Sequence, residues 1–136
     1  MAQRNPFNPT LADGIRRYGF RKWYERELLS SHAHMALALL ASVALIASFE
    51  AFQGGSWSEK LLDTGFVLAC AAIALWALRR YLYLLMHAEE MANQANCGQC
   101  KAYGLLLVPD DARIEVRRLV PVCCKRCGFR WDMQDG

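Results

Sequence analysis

The residues of this chain best suited to chemistry are its cysteines, five of which fall between residues 97 and 127. Cys97 and Cys100 form one C-x2-C pair, Cys124 and Cys127 form another, and 23 residues lie between the pairs. A C-x2-C turn presents both sulfurs to one point, so two such turns side by side can surround one divalent ion with four thiolates. The interval slightly exceeds the usual roughly 15 to 20 residues, a margin that a longer hairpin accommodates. A third cysteine, Cys123, crowds the second pair. Pairing it with Cys127 would need a C-x3-C turn, so Cys123 is expected to be the odd one out, at the end of a strand. Cys70 sits alone in an apolar run and reads as a small core residue.

Residues 97–136 resemble the zinc-ribbon family. Cys97, Cys100, Cys124 and Cys127 carry the likeness, together with the tail Cys127-Gly128-Phe129-Arg130-Trp131. In such knuckles a glycine follows the last ligand and an aromatic packs over the site. The resemblance covers about 40 residues and implies a small antiparallel β ribbon closed around structural Zn²⁺. Three strands are expected, over 103–108, 113–122 and 129–131, with a turn at Pro109-Asp110-Asp111. A ribbon of this size buries little apolar surface, so the metal should supply much of its stability. Iron in a rubredoxin-like site is the rival metal, but rubredoxins usually carry Gly after the first pair and Pro inside the second, where this chain has Lys101 and Lys125. Thiol-disulfide exchange through one pair would leave the other unexplained.

Little else in the sequence points to catalysis. A shell filled by four cysteines leaves no open position for water, and no Ser/His/Asp set, phosphate loop or HExxH pattern is present. No enzyme is expected. His32, His34 and His87 would lie at similar depth in an antiparallel hairpin, with Met35, Met86 and Met91 nearby, a set whose residue types are those of a haem or copper site. His32 and His34 point about 200° apart on a helix, so they do not share one ion. Histidines satisfied by water or headgroups are the expectation.

The elements that must carry this module are apolar. Hydrophobic residues make up 54% of the 136 residues and concentrate in the middle third. The uncharged runs 35–49 and 64–78 are each 15 residues long, and flanking residues extend them to 33–53 and 61–86, long enough to cross a bilayer. Charges near the interface are tolerated by snorkelling. The alternative is a soluble helical hairpin buried in a partner. About 30 mostly polar residues precede the first run, so it is expected to remain in the mature protein. Six basic residues precede the hairpin, nine follow from Arg79 onward, and Lys60 alone lies in the connecting loop, which places both ends in the cytoplasm of a bacterial inner membrane. That reducing compartment favours metal over disulfides.

The expected fold is therefore a mainly α membrane protein with four parts. Residues 1–32 form a basic segment with an interfacial amphipathic helix, 33–86 the hairpin, 87–96 a helical stalk and 97–136 the ribbon. Arg16, Arg17, Arg21, Lys22, Trp23 and Arg26 are expected at anionic headgroups, with Trp57, Arg79 and Arg80 also at the membrane surface. The competing use of the first helix is packing on the protein's own cytoplasmic domain. Small residues form one stripe at Ala41, Ala44, Ser48 and Ala51 and another at Gly65, Ala69 and Ala72, which suit close helix contact or a homodimer. A continuous helix over 61–94 would lift the ribbon off the membrane.

The combination reads as a non-enzymatic anchor whose ribbon holds a protein partner, as an accessory or assembly subunit of a membrane complex. Nucleic-acid binding is the alternative, through Arg113, Arg117, Arg118, Lys125, Arg126 and Arg130. Nearby acids, Asp110, Asp111, Glu115, Asp132 and Asp135, leave the module only weakly basic.

Overall fold

The computed structural model describes residues 6–51, 55–110 and 119–135. Among the described residues, three helices precede a three-stranded sheet: α1 (Leu11–Tyr18), α2 (Phe20–Ala51), α3 (Trp57–Gln94), β1 (Leu106–Leu107), β2 (Leu119–Cys124) and β3 (Arg130–Gln134). The chain divides into two compact units, Met1–Ser30 with Leu84–Gly136 in one and Ser31–Tyr83 in the other.

In the first unit, Thr10 caps α1 by accepting a hydrogen bond from the Asp13 N–H. Gly19 ends the helix at φ +84°, a left-handed value that a side chain would strain, and its N–H reaches back to the Ile15 carbonyl at 3.0 Å. From Phe20 to Ala51 no Gly or Pro interrupts the sequence, and α2 runs unbroken through the basic segment into the apolar one. The helix break therefore falls at Gly19, and no separate interfacial helix ends near residue 32.

The corner between α1 and α2 is closed by Trp23. A Cβ placed on Gly14 would lie 2.2 Å from Trp23 Cδ1, so only glycine lets the indole pack here. Trp23 is 2% exposed and donates its indole N–H to the Pro9 carbonyl at 3.1 Å. This corrects its expected place at the membrane surface: the backbone carbonyl of half-buried Pro9, not a headgroup, satisfies the indole. Arg16 donates to the Pro109 carbonyl at 3.2 Å. Arg17, Arg21, Lys22 and Arg26 are exposed, with Arg26 over the Tyr18 ring at 5.1 Å.

The sheet is antiparallel in the order β1-β2-β3. Alternation along β2 sends Val120, Val122 and Cys124 inward and leaves Leu119, Pro121 and Cys123 half-buried on the outer face. Pro121 is tolerated in the middle strand because β1 pairs only with Cys123 and Cys124, so the strand is an edge at Pro121 among the described residues. The inner face packs with Leu11, Ile15, Phe20 and Trp23 from the N-terminal helices, with Met91 of α3 and with Ala95 just beyond its end. The ribbon is thus one layer of a larger core, and the expected boundaries between residues 1–32, 87–96 and 97–136 do not separate independent parts. Of the expected second strand over 113–122, residues 119–122 belong to β2, which runs on to Cys124, and 113–118 lie outside the described residues.

The second unit holds the apolar stretches of α2 and α3. Ser56 and Glu59 start α3 as a capping box, with the Ser56 N–H donating to the Glu59 carboxylate at 2.7 Å. On α2 the covered side carries Ala38 and Ala41, with Ala44 and Ser48 half-buried. On α3 it carries Cys70 and Ala77, with Val67, Ala71 and Ala74 half-buried. Gly65, Ala69 and Ala72 are exposed, and nothing lies within 4 Å of a Cβ built on Gly65. The expected α3 stripe therefore lies about 150° around the helix from the covered side, close to its opposite face. Alanine occurs on every side of α3, so size alone did not fix the phase. The side chain of Ala51 lies outside the described residues. Arg80, expected at the membrane surface, is 8% exposed and lies 5.7 Å from the Tyr83 ring, whereas Trp57 and Arg79 are exposed.

Candidate metal centre

Two turns with the same backbone pattern build the site. In the first, the Cys97 N–H donates to the Ala102 carbonyl at 3.0 Å and the Lys101 N–H to the Cys97 carbonyl at 3.1 Å. In the second, the Cys124 N–H donates to the Phe129 carbonyl at 2.8 Å and the Gly128 N–H to the Cys124 carbonyl at 3.0 Å. Each turn needs a left-handed residue immediately after its second cysteine. Gly128 meets this at φ +75°, and Lys101 does so at +59°, where a side chain is less comfortable.

Pairing of β1 with β2 places the two turns beside each other, and the Lys125 N–H donates to the Leu105 carbonyl at 2.9 Å. The sulfurs of Cys97, Cys100, Cys124 and Cys127 then all lie within 4.8 Å of one another. The Cys97–Cys127 and Cys100–Cys124 sulfurs are 3.5 and 3.6 Å apart. A tetrahedral shell with metal–sulfur bonds of about 2.3 Å has edges of about 3.8 Å, so the donors fit one such ion. Zinc and iron both suit this donor set. Cys123 is outside the cluster: it pairs with Leu107 and Arg130 across the sheet, and its sulfur lies 3.4 Å from the Gly128 carbonyl.

The thiols differ in acidity. N–H donors of the first turn, from Cys100 foremost, hold Cys97 down at about 6, and the Cys127 and Arg126 N–H groups lower Cys124 in the same way. At Cys127 the Phe129 N–H acts to lower the value, but burial and the three neighbouring sulfurs outweigh it and push the thiol up to about 12. Four thiolates repel one another, and a cation at their centre removes that penalty, releasing the remaining protons on binding.

Aromatic side chains close one side. Phe129 Cε1 lies 3.4 Å from the Cβ position of Gly98, over the first turn, and its ring stacks on Trp131 at 6.1 Å. Trp131 donates its indole N–H to the Gln94 carbonyl at 3.1 Å, and the Gln94 side chain bonds both the N–H and the carbonyl of Gln134. The end of α3 is thereby fastened to β3.

Comparison of the chain with protein-family models, with curated proteins and with solved structures finds no match. The site therefore stands on its own geometry.

A second polar constellation was not legible in the sequence. Asn8 donates to the Glu27 carboxylate at 2.8 Å, Glu27 lies 3.6 Å from His87 Nδ1, and His87 Nε2 lies 2.8 Å from Asp135. His87 is more than two helical turns past the apolar run that ends at Leu78. Asp135, then Glu27, raise it to about 9 against the opposing effect of burial, so the ring is cationic between two carboxylates. This corrects the expectation of a histidine satisfied by water or headgroups: carboxylates distant in sequence hold it. His34 instead lies against Trp76, 5.5 Å between ring centres, and His32 is exposed.

Proposed function

We propose that this protein is a non-enzymatic, membrane-anchored metal-binding module whose metal centre is structural and whose cytoplasmic unit holds a protein partner. The observation that carries this reading is the four-sulfur cluster within 4.8 Å, built into a unit that also includes the ends of both long apolar helices. The donor set offers four sulfurs, enough to complete a tetrahedral shell, and zinc is the metal we assign.

Insertion in a bilayer is supported by the outward surfaces of α2 and α3. Only 6% and 11% of their most apolar windows are buried, and Leu40, Ile46, Phe49, Phe66, Leu75 and Trp76 stand exposed. A core helix of a soluble protein buries such side chains, whereas lipid accepts them. The distribution of Lys and Arg supports a bacterial inner membrane with both ends in the cytoplasm.

Purification from native membranes in mild detergent tests the reading. The chain is expected to bring down one stoichiometric protein partner and one zinc, without colour. A lone, monodisperse protein would contradict the partner-holding role, and visible iron–thiolate absorption would replace zinc with iron.

A further inference from the structure

The two metal-binding turns carry charge of one sign. No Asp or Glu occurs in 97–107 or in 119–131, whereas Lys101, Lys125, Arg126 and Arg130 are all exposed; one exposed acid, Asp132, follows two residues after Arg130 on the same face of β3 and leaves the cations in excess. Four thiolates around a divalent ion sum to a formal charge of −2, so the four cations exceed what the centre itself neutralises. They sit beside exposed apolar surface. Lys125 and Leu105 are joined by a backbone hydrogen bond, Leu107 and Arg130 flank Cys123 on the outer face of the sheet, and Phe129 covers Gly98. Leu105, Leu107 and Phe129 are 48%, 38% and 40% exposed.

We propose that this face, centred on Lys101, Lys125, Arg126 and Arg130, docks an acidic segment of a partner protein that also presents apolar side chains to Leu105 and Leu107. The inference rests on the reading of the chain as a partner-holding module and names the chemistry of that partner. Charge complementarity selects a polyanion. Exposed leucines beside the cations favour a protein over single-stranded nucleic acid, because Leu105 and Leu107 offer a base no aromatic face to stack on.

The test uses the full chain in nanodiscs of neutral lipid and fluorescence anisotropy of two labelled probes, a Glu-rich peptide bearing leucines and an oligothymidylate. The variant K101Q/K125Q/R126Q/R130Q is compared with R17Q/R21Q/K22Q/R79Q, which removes the same charge elsewhere. The knuckle variant is expected to keep its metal and its melting temperature but to bind the peptide roughly tenfold more weakly, while the control variant binds like the wild type. Equal weakening in both variants, or no peptide binding by the wild type, overturns the proposal. So does tighter binding of the oligothymidylate that is lost with the knuckle cations. Co-purification separates the two readings. A partner retained by the knuckle variant removes this docking face and leaves the proposed function standing; peptide binding without any cellular partner removes the proposed function instead.

Discussion

Gly14→Ala sets two effects of opposite sign against each other. On a bare helix the change gains about 1 kcal/mol, because alanine is the better helix former. In this fold the new methyl would lie 2.2 Å from Trp23 Cδ1 and 2.9 Å from Cγ. Ordinary carbon contacts are about 3.5–4.0 Å, so the indole must retreat by about 1.5 Å. Trp23 is buried and tied to the Pro9 carbonyl, so it cannot move without losing that bond, about 1 kcal/mol, and disturbing the packing of Phe20 and Leu11. Overpacking of this kind costs about 1–3 kcal/mol. The net expectation is a loss of about 1–3 kcal/mol. A unit of this size shifts by about 4–8 °C per kcal/mol, so the melting temperature of the full chain in detergent, followed by near-ultraviolet circular dichroism, should fall by roughly 10 °C. In a Trp23→Ala background, already destabilised, Gly14→Ala should instead raise the melting temperature. A rise in the otherwise unchanged chain would refute the packing of α1 on α2.

Other perturbations probe the remaining parts of the structure. His87 has its folded value raised to about 9 from 6.5, so its contribution is complete below about pH 6.5 and is lost as pH rises toward 9. Screening on the exposed side of the ring limits this to on the order of 1–2 kcal/mol, and His87→Gln should flatten stability-versus-pH curves over that window. Lys101→Gly should stabilise the first knuckle by about 0.5–1 kcal/mol by relieving its left-handed backbone, and Gly128→Ala should cost about 1 kcal/mol in the second, both read by denaturant unfolding. Ala77→Leu should lower the melting temperature because Ala77 is fully covered, whereas Ala72→Leu on the open side of α3 should leave it within about 1 °C; the reverse order would restore the Gly65, Ala69 and Ala72 contact face.

The parts of this structure legible in the sequence are those set by local rules. Ligand spacing is local, so the four clustered sulfurs and the exclusion of Cys123 could be read from two C-x2-C turns. Strand alternation around Val120 and Val122 and the unbroken apolar runs of α2 and α3 are equally local. What could not be read depends on residues distant in the chain. Trp23 has the composition of an interfacial anchor, and only its meeting with Gly14 and Pro9 makes it a core residue. His87 finds Asp135, 48 positions away, through the fastening of β3 to α3. The phase of the covered side of α3 was hidden because alanines at 69, 71, 72, 74 and 77 point around the helix, and nothing local to α3 chooses among them.

Whether Cys97, Cys100, Cys124 and Cys127 together hold one metal ion is read from the metal content per chain of the wild type, Cys123→Ser and Cys124→Ser, purified in parallel and measured by inductively coupled plasma mass spectrometry. One zinc per chain is expected in the wild type and in Cys123→Ser, and close to none in Cys124→Ser. Equal loss from both variants would show that the register of the second turn is wrong, and a metal-free wild type would contradict the centre itself.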